Sequence, residues 1–155
     1  MLLALALPGV IFIFLKIFGK NRFDIPVYYK DGVTDAPGEC RGAYHGQYTL
    51  PDSISVLLGQ KNTAACLFVE GLEKNNKEVA RLRKLYAGDK LQIISLDSTK
   101  TNHLVQIKKC ALFLKAPWKA VLVDKENRIR GYYAFSSIEE ADRLDVEVEI
   151  LLTNQ

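Results

Sequence analysis

Residues 63–74, TAACLFVEGLEK, constrain the fold of this chain more than any other stretch. Residues 63–69 are almost continuously apolar, as suits a strand covered on both faces. Gly71 breaks the run. Beyond it Leu72, Val79, Leu82, Leu85 and Tyr86 recur at helical spacing, while Lys74, Lys77, Arg81, Arg83 and Lys84 fall on other faces. A buried strand running into an amphipathic helix is the first half of a βαβ unit, and the fold class is therefore α/β. The helix is expected over 72–87, with Gly88 as its stop.

The following residues continue the alternation. Residues 91–96 read as a second buried strand, and Asp97-Ser98-Thr99 as a turn that can cap a helix over 101–114. That helix carries Leu104, Ile107, Ala111 and Leu114 on one stripe. Residues 119–123 read as a third strand, Lys125-Glu126-Asn127 as a hairpin turn, and residues 128–133 as the returning strand. Ser136 or Ser137 caps a last helix over 138–152, and Ser137 with Glu140 has capping-box spacing. Ahead of all this, residues 47–51 read as a short strand. The alternation of Ile54, Val56 and Leu58 predicts another over 53–58. From residue 63 onward the order is strand, helix, strand, helix, strand, strand, helix, with the first βαβ unit forcing a parallel pair.

The first segment is of a different kind. Residues 2–18, LLALALPGVIFIFLKIF, hold a single charge, Lys16, and approach the length of a membrane-spanning helix. Nothing basic precedes the apolar run, and Gly19-Lys20-Asn21 suits signal cleavage poorly. The expectation is an uncleaved transmembrane anchor over 1–19, whose lipid-facing side chains include Leu2, Leu5, Val10, Phe12, Phe14 and Phe18. Phe23, Tyr28 and Tyr29 suit an interfacial belt. Residues 20–46, with Pro26, Pro37 and four glycines, form an extended connector too long to be idle. It either packs along the domain that follows, 47–155, or meets another protein. Lys16, Lys20 and Arg22 alone would place that domain in the cytoplasm.

Chemistry-bearing residues are sparse. The net charge of +3 comes from scattered Lys and Arg, which argues against nucleic acid as a partner. Cys40, Cys66 and Cys110 lie far apart, without CxxC or metal-finger spacing, and with three cysteines at least one is free or bonded to another chain. Cys66 lies mid-strand. Cys110 lies near the apolar stripe of its helix, with Cys66 a conceivable partner. His45 and His103 are isolated, although Cys40 and His45 make a conceivable ligand pair. Glu70 and Glu73 stand at the start of a helix, where the dipole favours negative charge in any case. Asp97 and Asp124 are expected at one sheet edge, the edge where open α/β sheets bind ligands.

Two stretches carry a family resemblance: residues 119–133, KAVLVDKENRIRGYY, with the Ser-Ile-Glu-Glu helix start after it, and Tyr48 to Asp52, YTLPD. Together with the strand order they resemble the Sco/SenC-type, peroxiredoxin-like members of the thioredoxin superfamily over residues 45–152. The resemblance implies a thioredoxin-like three-layer fold, and a membrane anchor ahead of the domain suits this type. Members of the type bind copper through a CxxxC pair at the strand-to-helix junction and a histidine just before the third core strand. Here the junction reads Val69-Glu70-Gly71-Leu72-Glu73, and the histidine position falls near Ala116-Pro117. Neither the soft ligands of a copper(I) site nor a low-pKa dithiol is present there. Pro117 either matches the superfamily's cis-proline or is a plain loop proline.

The expected function is that of a non-catalytic, membrane-anchored accessory subunit or assembly factor of a respiratory membrane complex of the cytochrome oxidase type. It would have no cofactor, and by resemblance its domain would lie on the extracytoplasmic, periplasmic side. Glu70, Glu73, Tyr28 and Tyr29 are the candidate partner contacts. The alternative is a divergent copper chaperone or thiol-disulfide oxidoreductase using Cys40.

Overall fold

A computed structural model describes residues 24–40, 44–61, 63–71, 76–86, 90–98 and 102–153. The expected anchor, with Leu2, Leu5, Val10, Phe12, Phe14 and Phe18, lies outside these residues, as does Glu73. Among the described residues no helix is long and apolar enough to cross a membrane.

The elements are α1 (Asp52–Leu57), β1 (Ala65–Val69), α2 (Lys77–Leu85), β2 (Leu91–Ser95), a 3₁₀ turn (Leu96–Ser98), α3 (Leu104–Cys110), β3 (Ala120–Asp124), β4 (Ile129–Tyr133) and α4 (Ile138–Thr153). The strands form one mixed sheet in the order β2-β1-β3-β4. β1 runs parallel to β2 and antiparallel to β3, and β4 returns antiparallel to β3. The fold is α/β, a mixed four-stranded sheet with flanking helices.

All five residues of β1 are buried because both faces of the sheet are covered. Ala65, Leu67 and Val69 face Leu82 of α2 and Leu144, Val148 and Leu151 of α4. Cys66 and Phe68 face the other way, towards Ile107 of α3 and Tyr48, Leu50, Leu58 and Phe113. Full burial of a side chain such as Leu67 or Phe68 contributes about 1.5–3 kcal/mol. The central strand is therefore the main apolar anchor of both layers.

The helices start where their caps allow. Asn76 accepts hydrogen bonds from the amides of Glu78 and Val79, each at 3.1 Å, so α2 begins at Lys77 and not at the strand junction. Ser137 Oγ accepts from the Glu140 amide at 3.3 Å. The Glu140 carboxylate reaches back to the amides of Ser136 and Ala134, a step beyond the expected capping box.

Three expectations are corrected. Residues 53–58 do not form a strand: 53–57 belong to α1, which starts after Pro51 with Asp52 in its first turn, and Leu58 is its C-cap. Six residues are too few for helical periodicity to show, and the alternating Ile54 and Val56 imitate a strand; Val56 is in fact 75% exposed. Residues 47–51 are not a strand either: among the described residues they are joined to others by single backbone bonds, Tyr48 N–H to Tyr29 O at 2.9 Å and Leu50 N–H to Asn127 O at 2.7 Å. Asp97 and Asp124 do not share an edge. Because β3 is antiparallel to β1, Asp124 pairs with Ala65 at the start of β1, whereas Asp97 follows the end of β2.

The connector packs along the domain. Tyr28 N–H donates to Ile129 O at 2.9 Å, Ile25 is buried in one core, and Tyr48, just past the connector, is buried in the other. Between these anchor points the chain makes a loop, with Gly32 bridged to His45 at its base. The disulfide Cys40–Cys110 ties that loop to the end of α3. Cys110 is therefore not paired with Cys66, which is the free, buried thiol.

Candidate functional site

The strand-helix junction is a node of polar contacts. The Glu70 amide donates to Lys119 O at 2.8 Å, which holds the chain beside the segment that leads into β3. The Gly71 amide donates to Asp97 Oδ2 at 2.7 Å, joining the ends of β1 and β2. The Glu70 carboxylate forms an ion pair with the ammonium of Lys108 on α3. Pro117 precedes β3 across a cis bond from Ala116. Four segments thus converge on the place where the resemblance puts a redox pair, and their polar groups bind one another. Glu70 and Asp97 act there as structural acceptors.

Cys66 does not supply the missing thiol. Its side chain is 0% exposed, and burial pushes its pKa far above the ordinary value. A protonated, enclosed thiol is neither a nucleophile nor a metal ligand.

The other candidates are placed as follows. Tyr28 and Tyr29 are half-buried against the sheet. The Tyr28 ring meets Tyr132 edge-on with centroids 5.2 Å apart, and the Tyr29 ring meets Phe113 at 5.0 Å. Much of their ring surface is thus used inside the domain. The Cys40 sulfur is bonded to Cys110, and His45 is exposed at the base of the same loop. In this oxidised form Cys40 has no thiolate to offer beside His45. Among the described residues no group of three or more His, Cys, Asp or Glu side chains is arranged to hold a metal ion. Sequence reasoning missed Lys108 and gave Cys110 a different partner. Their partners lie 38 and 70 positions away, and no spacing rule connects them.

Beside the disulfide lies a cleft of about 590 Å³. It is lined by Tyr44 of the connector and Gln47 and Tyr48 just after it, by Ile54 and Leu57 of α1, and by Ile107 and Cys110 of α3 with His103 at its N-cap. The tyrosines are held by their hydroxyls: Tyr48 Oη donates to Ala111 O at 2.8 Å and Tyr44 Oη to Cys110 O at 3.2 Å. Burial pushes the Tyr48 phenol well above its ordinary range, so it stays a neutral donor. Comparison with protein families, curated proteins and solved structures finds no match to this chain.

Proposed function

We propose that this chain is a thioredoxin-like, Sco-like protein that serves as a non-catalytic accessory subunit or assembly factor of a membrane respiratory complex of the cytochrome oxidase type. Its domain would be anchored by residues 1–19 and face the extracytoplasmic side. The observation that carries the reading is the junction after β1. Where Sco-type proteins keep their thiols, this chain has Glu70 paired with Lys108 and Asp97 bonded to the Gly71 amide. A scaffold whose reactive position is filled by internal ion pairing suits binding better than turnover. The sheet order supports the thioredoxin-like part of the reading. The disulfide is consistent with an oxidising compartment.

The test is native electrophoresis of membranes solubilised in mild detergent from cells that carry a tagged chain. The expected result is migration with an oxidase complex and loss of assembled oxidase when the chain is deleted. Migration of the chain alone, with oxidase levels unchanged by its deletion, would overturn the proposal.

A further inference from the structure

The loop that crosses α3 is held differently at its two ends. Its base is closed by backbone bonds, Tyr48 N–H to Tyr29 O at 2.9 Å and Val33 N–H to Tyr44 O at 3.0 Å. Below the base, Tyr28 and Leu50 are bonded to Ile129 O and Asn127 O, on the β4 side of the β3–β4 turn. The tip has little apart from the Cys40–Cys110 bond. Glu39 pairs with Lys109, and Asp35 with Lys115 at 3.4 Å, but all four side chains are largely exposed, and exposed pairs hold little in water. Beneath the loop, Tyr44 packs on Phe113 with centroids 5.7 Å apart and Ala36 touches the core. Tyr44 and Cys110 both line the cleft, and Tyr44 Oη donates to Cys110 O at 3.2 Å. The disulfide therefore ends on one residue of the cleft wall, Cys110, and ties the loop tip at Cys40 to it. Unlike Cys66, both of its cysteines are partly exposed to solvent.

We propose that the Cys40–Cys110 disulfide is a redox-sensitive latch: oxidised, it holds residues 34–40 against the end of α3; reduced, it frees them while the base at Val33 and Tyr44 and the sheet stay folded. The reductant is a dithiol donor. Its thiolate attacks one sulfur of the pair, giving a mixed disulfide, and the other sulfur leaves as a thiolate that takes up a proton. The donor's second thiol, once deprotonated, displaces the first cysteine, which is protonated in turn. Two electrons and two protons pass to the pair, and the donor leaves as its own disulfide. The latch goes beyond the binding role proposed above, because it adds a condition under which the end of α3 is uncovered, and it would operate whichever complex the domain serves.

Hydrogen exchange on the full chain in mild detergent tests this. The oxidised protein is compared with protein reduced by a phosphine and with a Cys40→Ser, Cys110→Ser double variant. The expected result is exchange about tenfold faster, or more, at Cys40, whose amide is bonded to Pro37 O in the oxidised protein, with Val33, β1 and β3 unchanged. Unchanged exchange at the Cys40 amide would show that the tip is held without the disulfide. Faster exchange spreading through β1 and β3 would show a staple for the whole fold. Either outcome overturns the latch.

Discussion

Asp124 and Arg130 form an ion pair inside the protein: Arg130 Nη1 donates to Asp124 Oδ2 at 3.0 Å, and the side chains are only 2% and 4% exposed. A bulge makes this geometry. Leu122 pairs with Gly131 and Val123 with Ile129, so Arg130 is the extra residue and leaves the ladder. Its other arm, Nη2, donates to Asp24 Oδ1 at 2.7 Å and to Ile25 O at 2.6 Å. Asp124 also accepts from the amides of Glu126 and Arg128 and from Arg128 Nε, so the carboxylate is well satisfied.

Replacing Arg130 by Met is expected to destabilise the protein by about 3 kcal/mol, because it leaves a buried carboxylate short of its partner and cuts the connector's hold on the sheet. Arg130→Lys should recover part of this loss, since it keeps the charge without the fork. Denaturant unfolding of the full chain measures both. A Met variant as stable as the parent would mean that Arg128 alone compensates Asp124.

Gly131 faces the Tyr133 ring. A Cβ at this position would overlap the Tyr133 hydroxyl and lie 2.8 Å from its Cζ and 3.1 Å from Glu147 Oε2. Gly131→Ala is therefore expected to cost about 1–3 kcal/mol by displacing the ring. It should also break the Tyr133–Glu147 hydrogen bond. Combined with Tyr133→Phe, the two losses should add to less than their sum, because the clash with the hydroxyl is gone. Thermal unfolding of the two single variants and the double variant checks this.

Burial pushes the phenols of Tyr29, Tyr48 and Tyr132 above their ordinary pKa of 10.0, and that of Tyr133 likewise on the other face of the sheet. Above pH 10 the unfolded chain releases these protons while the folded chain keeps them. Their contribution to stability is therefore complete below pH 10 and falls as pH rises beyond it. A spectrophotometric titration should show the buried phenolates appearing together with the loss of near-ultraviolet circular dichroism, in one alkaline transition. Smooth ionisation of all the tyrosines near pH 10 without unfolding would contradict the buried aromatic layer.

Thiol accounting provides a further check. The folded, oxidised protein should consume no alkylating reagent, because Cys66 is enclosed and protonated and the other two cysteines are bonded. Unfolding without reductant should expose Cys66 alone, and reduction of the unfolded chain should expose Cys40 and Cys110 as well. Mass spectrometry after alkylation reads each stage. Reaction of Cys40 in the folded, untreated protein would rule out the bond.

Much of this structure is legible in the sequence because its central part is built from strong periodic signals. The uninterrupted apolar run around Leu67 and Phe68 marks a strand covered twice, and the spacing of Leu144, Val148 and Leu151 marks the helix that covers it. The short elements are not legible. In α1 the local pattern of Ile54 and Val56 favours a strand, and only the packing of Ser55 and Leu58 makes it a helix. The site was legible as an absence of thiols but not as a set of contacts. The partnership of Glu70 with Lys108 and that of Cys40 with Cys110 depend on how the layers stack. So does the direction of β3, which moves Asp124 away from Asp97.

The docking of the connector also has a consequence for the order of events as the chain is made. Tyr28 bonds to Ile129 and Asp24 to Arg130, so the first described residues have nothing to close on until more than a hundred later ones have emerged. Cys66 emerges before Cys110, and for that interval it is the only other thiol within reach of Cys40. Cys66 is shut away by β3, which follows Cys110 in the chain, so a Cys40–Cys66 bond formed in that interval would have to be exchanged before the sheet could close. The sulfur nearest to Cys40 in sequence is thus the competitor that burial in β1 removes.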